Sequence, residues 1–260
     1  MNKKITVKDL AVKKRNGEKI CAISLYDAPT AKFAEECDIE LILVGDSLGM
    51  TVLGYPNTVP VTIEQCLHHC SAVARGAKFA FLVGDMPFMT YHPSLETALI
   101  NAARFLQEAG MDAVKIEGGA YMAETVRRLV TAGVPVMGHI GLLPQNILTQ
   151  GGYKSAGKTE DEKKALVEDA IALQEAGAFA IVLECIPTET AKEITEKLKI
   201  PTIGIGSGPH CDGQIQVIND LLGLFTDFIP KHAKRYANLS CEIRKALTQY
   251  SDDVHNAKFE

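Results

Sequence analysis

The chain has 260 residues, 47% of them hydrophobic and 23% charged, enough to bury a full core as one large domain or two small ones. Its 27 basic and 32 acidic side chains leave a formal charge of −5, and with neither a basic stripe nor interleaved aromatic residues it is not read as a nucleic-acid binder. Seven cysteines without a CxxC pair read as reduced thiols of a cytoplasmic protein, and no apolar run reaches the length of a membrane span.

The N-terminal lead MNKKITVKDLAVKKRNGEK (1–19) is basic and has no apolar core of the signal-peptide type. From there, short runs rich in Val, Ile, Leu and Ala alternate with helix-like segments. ICAISL (20–25) and LILVGD (41–46) come first, and TIEQCLHHCSAVARGA (62–77) leads to FAFLVGD (79–85). SLETALINAARFLQEAG (94–110), whose Ser94 and Glu96 read as an N-cap with an acidic first turn, leads to AVKIEG (113–118). AETVRRLVTAG (123–133) leads to VPVMGHIG (134–141), and EDEKKALVEDAIALQEAG (160–177) leads to AIVLEC (180–185). TETAKEITEKL (188–198), with a similar capped start at Thr188 and Glu189, precedes IPTIGIG (200–206), and IQVINDL (215–221) is the eighth run. A helical tail closes the chain, and SDDVHNAKFE (251–260) reads as a surface segment.

Two of these units are near copies, QEAGMDAVKIE (107–117) and QEAGAFAIVLE (174–184). Each reads as a helix closed by glycine, Gly110 or Gly177, then a tight turn and a buried strand that ends on a carboxylate, Glu117 or Glu184. Most of the eight runs are continuously apolar rather than alternating, as in parallel strands covered on both faces. Regular βα alternation without a linker predicts an α/β fold, a single (β/α)8 TIM barrel with residues 1–260 as one domain, in preference to a doubly wound open sheet.

Barrel active sites lie at the C-terminal ends of the strands. Those ends carry Tyr26 and Asp27, Asp46 and Ser47, Asp85, Lys115 and Glu117, His139, Glu184, and the glycines from Gly204 to Gly208. One isolated aspartate there is ordinarily the N-cap of the next helix, but caps need neither a strand-terminal glutamate nor a buried lysine. Several carboxylates on one rim repel unless a cation offsets them, and hard oxygen donors without a Cys/His cluster indicate Mg²⁺ rather than Zn²⁺. Such an ion keeps positions open for a bidentate 2-oxo acid and suits enolate chemistry. Cys66 and Cys70, which flank His68 and His69, share a helix face and read as buried packing rather than metal ligands. GIGSGPHCDG (204–213) is neither a GxGxxG nor a Walker loop; it reads either as backbone N–H groups that bind an anion after the seventh strand or, at least equally, as a glycine-rich loop giving close access to the pocket.

With these residues in place, VGDSLGMTVLGYPNTVPVT (44–62), VGDMPFMTYH (83–92), VKIEGG (114–119), PVMGHIGLLPQ (135–145), LECIP (183–187) and IGIGSGPHCDGQ (203–214) together resemble the ketopantoate hydroxymethyltransferase family along nearly the whole chain. The resemblance implies a (β/α)8 barrel that transfers a hydroxymethyl group from 5,10-methylenetetrahydrofolate to 3-methyl-2-oxobutanoate through a Mg²⁺-stabilised enolate. The product would be 2-dehydropantoate, for pantothenate and coenzyme A synthesis, and the assembly a homo-oligomer, commonly a decamer. It further implies that Asp46 and Asp85 ligate the metal, with Glu117 completing the site directly or through water. Ser47 and Lys115 would bind the oxo acid carboxylate, Glu184 would be the general base, and His139 would meet the nascent hydroxyl. Departures from the family pattern at Ser207 and at Met89-Thr90 fall on none of these residues. Metal-dependent enolate enzymes of the phosphoenolpyruvate mutase and isocitrate lyase type share the barrel logic, but no KKCGH-like loop is present.

Overall fold

Segments such as Leu41–Val44 and Ala180–Ile181 offer no polar face to water, so both of their faces need cover. In a computed structural model that describes residues 3–153, 155–228, 230–231 and 233–258, they find it in a closed parallel barrel. The order is α1 (Val7–Asn16), β1 (Ile20–Ser24), α2 (Ala28–Glu36), β2 (Leu41–Val44), α3 (Leu48–Thr51), α4 (Ile63–Gly76), β3 (Phe81–Asp85), α5 (Leu95–Gln107) and β4 (Ala113–Glu117). There follow α6 (Ala123–Thr131), β5 (Val136–Gly141), α7 (Ile147–Gln150), α8 (Glu160–Glu175), β6 (Ala180–Glu184), α9 (Thr188–Lys197), β7 (Thr202–Ile205), β8 (Gly213–Val217), α10 (Ile218–Leu221) and α11 (Leu239–His255). Each strand pairs with the next, and β8 closes on β1 through Ile20↔Gly213 to Ser24↔Val217.

Side-chain alternation then divides the core in two. Ile42, Val44, Leu82, Val114, Ile116, Ile181 and Leu183 point outward and pack under the helices, while Leu41, Leu43, Phe81, Val83, Ala113, Met137, Ala180 and Val182 fill the barrel. Continued one or two steps, the inward parity places Asp85, Lys115, Glu117, His139 and Glu184 above that filling, inside the mouth. The twin units behave as their spacing predicts. Gly110 and Gly177 take φ of 71° and 102°, and Met111 N–H and Ala178 N–H donate to Phe105 O and Leu173 O, closing both helices before their strands.

Three segments differ from the sequence reading. The eighth strand starts at Gly213 and stops at Val217, and Ile218–Leu221 is helical. Gly213 runs so close to β1 that a Cβ there would stand 2.6 Å from Ile20 O, a glycine role that hydropathy does not register. Thr188 is the first helical residue rather than a cap: Pro187 holds the N-cap position without a side-chain bond, and the Thr188 side chain packs against Gly208. Ser94, by contrast, caps α5 by accepting from Thr97 N–H at 3.0 Å. The lead contains α1, started by a Thr6–Asp9 capping box, and its buried Leu10 packs with Ile20, Phe81 and Phe179 at the barrel floor.

At the other end, α11 buries none of its residues. Ile243, Leu247, Tyr250 and Val254 recur at helical spacing on one face and are 46–61% exposed. Among the described residues no helix is long and apolar enough to cross a membrane.

Candidate active site

Strand register sets the neighbours at the mouth. Asp85 pairs with Lys115, Glu117 with His139, and Gly141 with Glu184. Lys115 Nζ lies 2.6 Å from Asp85 Oδ1 and 3.6 Å from Glu117 Oε1. Asp85 Oδ2 accepts from Asp46 N–H at 3.1 Å, which ties the end of β2 to the end of β3. His139 stands between two glutamates, with Nδ1 3.5 Å from Glu117 Oε1 and Nε2 3.2 Å from Glu184 Oε2, neither contact aligned as a hydrogen bond. Ser47 shares a hydrogen bond of 2.7 Å with the buried Tyr26 hydroxyl. All seven residues assigned from the sequence, Asp46, Ser47, Asp85, Lys115, Glu117, His139 and Glu184, face one cavity of about 790 Å³.

Other residues singled out in the sequence are structural. Asp27 caps α2, accepting from Thr30 N–H at 2.8 Å, the ordinary role of a rim aspartate. Cys66 and Cys70 are buried on one face of α4 as free thiols. Ser207 is buried too, and its hydroxyl donates to Leu183 O at 2.7 Å, so the polar side chain there is satisfied.

Charge is unevenly balanced. Asp46, Asp85 and Glu117 are each at most 3% exposed and share Lys115. Burial, then the charges of Asp85 and Glu117, push the Asp46 carboxyl well above the usual carboxylate range. Burial also raises Asp85, although Lys115 opposes it. For Glu117 burial acts upward but is outweighed by Lys115, His139 and the Gln145 N–H, so it lies below its ordinary value. Burial and Lys115 disfavour a charged His139, yet the flanking glutamates prevail and lift it to about 9. Three carboxylates around one ammonium leave the cluster with an excess of acids, and Asp46 and Asp85 place hard oxygen donors side by side, which suits a divalent cation. Among the described residues no three His, Cys, Asp or Glu side chains are disposed to hold a metal by themselves, so an ion here would take its further oxygens from water or substrate.

The family model described as ketopantoate hydroxymethyltransferase matches residues 4–260. The chain belongs to the ketopantoate hydroxymethyltransferase family. A protein of Dehalococcoides mccartyi named 3-methyl-2-oxobutanoate hydroxymethyltransferase is 55% identical over 254 residues, 98% of this chain and 91% of that protein. Proteins of the same name from Carboxydothermus hydrogenoformans and Heliobacterium modesticaldum are 55% and 53% identical, covering 98% and 100% of this chain and 93% and 94% of theirs. Among solved structures, phosphonopyruvate hydrolase in complex with oxalate and Mg²⁺ superposes with a TM-score of 0.62 at 14% identity, over 97% of this chain and 86% of that one. 2,3-Dimethylmalate lyase, a phosphoenolpyruvate mutase/isocitrate lyase superfamily member, gives the same score and identity over 96% and 88%. These two likenesses extend to the fold alone.

In this ketopantoate hydroxymethyltransferase family member, two residues without an assigned role in the sequence reading hold the carboxylates in place. Gln145, from a 3-10 turn at Pro144–Asn146, is 2% exposed and donates from Nε2 to Asp46 Oδ2 and to Met86 O, both at 3.0 Å. Its backbone N–H donates to Glu117 Oε2 at 3.1 Å. Its Oε1 accepts from the Tyr91 hydroxyl at 2.8 Å, and Tyr91 in turn accepts from Glu117 N–H at 3.0 Å. The amide orientation is thereby fixed, because both Nε2 partners are acceptors. An amide carries no charge pattern, and its place in the PVMGHIGLLPQ stretch is the only sign of it in the sequence. Gln145→Leu strips a donor from buried Asp46 and an acceptor from Tyr91, so unfolding in urea is expected to show a loss of about 1–3 kcal/mol. A loss below about 0.5 kcal/mol, the level of ordinary surface substitutions, would mean that the network holds nothing in place.

Proposed function

We propose that this chain transfers a hydroxymethyl group from 5,10-methylenetetrahydrofolate to 3-methyl-2-oxobutanoate, with Mg²⁺ as its metal, giving 2-dehydropantoate in pantothenate synthesis. The observation that carries this reading is the opposition, in one cavity, of the Asp46–Asp85–Lys115 cluster and the separate carboxylate of Glu184. Held by Asp46 and Asp85, with Glu117 reaching it through water, Mg²⁺ would withdraw charge from the oxo acid oxygens and acidify C3. Lys115 offsets the charge of the substrate carboxylate, and Ser47, fixed by Tyr26, donates to one of its oxygens. Glu184 takes the C3 proton. The carbon, now nucleophilic, bonds to the one-carbon unit; water supplies the hydroxyl oxygen as the bond to the folate nitrogen breaks and tetrahydrofolate departs. His139, positively charged between its glutamates, donates to the nascent hydroxyl.

A cavity of about 790 Å³ has the size of a drug-sized ligand's site, more than a five-carbon acid needs, which supports a second and larger substrate. Product from 3-methyl-2-oxobutanoate, Mg²⁺ and methylenetetrahydrofolate, absent when folate is omitted, is the expected assay result. Turnover of the acid without folate would instead favour a lyase-like activity.

We also infer one domain over residues 1–260, a cytoplasmic setting supported by seven cysteines that form no disulfide, and a homo-oligomer, a decamer by family resemblance. The apolar stripe of α11 supports self-association. Light scattering should give a mass of several chains, and Leu247→Glu with Tyr250→Glu should shift it downward. An unchanged mass in the double variant would remove α11 from the interface.

A further inference from the structure

Beyond Glu184 the cavity changes sign. A second cavity of about 420 Å³ is lined by Lys158, Lys231, Ser155, Gly206 and the Cys185–Pro187 turn, with no carboxylate among the described residues that line it. Ser155, Lys158, Cys185 and Lys231 also line the 790 Å³ cavity, so the two adjoin along these four residues. The turn between them is fixed: Cys185 takes φ of 50°, and its N–H donates to Ile205 O at 2.9 Å, so the outer space begins one residue past Glu184. Among the described residues neither lysine has an ion-pair partner. In a chain of net charge −5, two unpaired ammonium groups around a space free of acids form a local attraction for anions.

The whole channel is thus acidic and closed at its base and basic at its mouth. A ligand matched to it has an uncharged or electron-poor reacting end and an anionic tail. A small oxo acid carries its only charge at the reacting end and cannot reach both regions. A folate carries its one-carbon unit on the pterin side and its carboxylates on the glutamyl side, in the order that the channel presents.

We propose that Lys158 and Lys231 form the subsite for the glutamyl carboxylates of the folate co-substrate, holding its anionic tail in the outer cavity while the one-carbon end reaches Glu184. This rests on the folate reading above. Because both lysines are exposed, the contacts are screened by salt and each contributes modestly, and a longer glutamyl chain offers more carboxylates to the same pair.

The test compares KM for methylenetetrahydrofolate as the monoglutamate and the triglutamate in the wild type and in Lys158→Gln/Lys231→Gln. The wild type should prefer the triglutamate, with a preference that falls as salt rises. The double variant should raise the triglutamate KM roughly three- to tenfold and lose both the preference and its salt dependence. Its KM for 3-methyl-2-oxobutanoate and its folate-free exchange of the C3 proton with deuterated solvent should keep wild-type values, which a general disturbance of the barrel mouth would not allow. A triglutamate preference that survives in the double variant, or is missing from the wild type, overturns the subsite. A wild type that exchanges the C3 proton but makes no product with either folate overturns the folate reading, and the subsite falls with it.

Discussion

Glu184→Gln is expected to reduce turnover by roughly 10²–10⁴-fold, the range for loss of a general base, while the oxo acid still binds. Glu184 is the least enclosed carboxylate of the cluster, its side chain 16% exposed and 3.2 Å from His139 Nε2, so it faces the cavity instead of sharing Lys115. Glutamine keeps its shape and hydrogen bonding but does not accept a proton at neutral pH. Proton removal from C3 needs only the oxo acid, the metal and the base, so wild-type protein should exchange that proton with deuterated solvent even without folate. In Glu184→Gln, exchange and turnover should fall together. Glu117→Gln should act differently, because Glu117 is enclosed by Lys115, His139 and the Gln145 N–H, and excess Mg²⁺ should partly restore it. Proton NMR decides: if Glu184→Gln exchanges at the wild-type rate while Glu117→Gln does not, the two glutamates have each other's roles.

Those two glutamates also show what a sequence can disclose. Their twin units are visible because glycine closes a helix and a buried strand follows, and both are local events. The rim as a list of strand ends is visible for the same reason. Which rim residue pairs with which is not, since it depends on register between strands far apart in the chain, as in Asp85 with Lys115. Helix α1 leaves no mark in the hydropathy pattern, because only Leu10 of its ten residues is buried, too little to make an apolar face. Ile218 and Leu221 follow directly on the IQV of β8, past the last β1 partner, Ser24↔Val217, and sequence alone does not mark the point where pairing ends and the helical turn of Asn219 and Asp220 begins. Gln145 was hidden for a different reason: it positions charges but carries none.

Asp46 and Asp85 look alike in sequence, each following a glycine at a strand end, and both asparagine variants are expected to lose most turnover at limiting Mg²⁺. Their effects on stability should be opposite. Asp46 is raised in the folded protein by burial and by Asp85 and Glu117, so the fold binds its proton more tightly than the unfolded chain does. As pH rises past that raised value, keeping the carboxylate charged costs stability. Asp46→Asn removes that cost and retains an oxygen to accept from Gln145, so the metal-free variant should melt above the wild type. Asp85 instead neutralises Lys115 at 2.6 Å, both side chains at most 4% exposed. Asp85→Asn leaves that ammonium with Glu117, at 3.6 Å, as its one ion-pair partner among the described residues and should destabilise by about 3 kcal/mol, the lower end for breaking a buried pair. Mg²⁺ should raise the melting temperature of the wild type by mass action and leave both variants nearly unmoved. Melting curves with EDTA and with Mg²⁺ test this directly. An equal Mg²⁺ shift in wild type and variants would remove the two aspartates from the metal site, and an Asp46→Asn protein that melts below the wild type would show that its carboxylate stabilises the barrel rather than straining it.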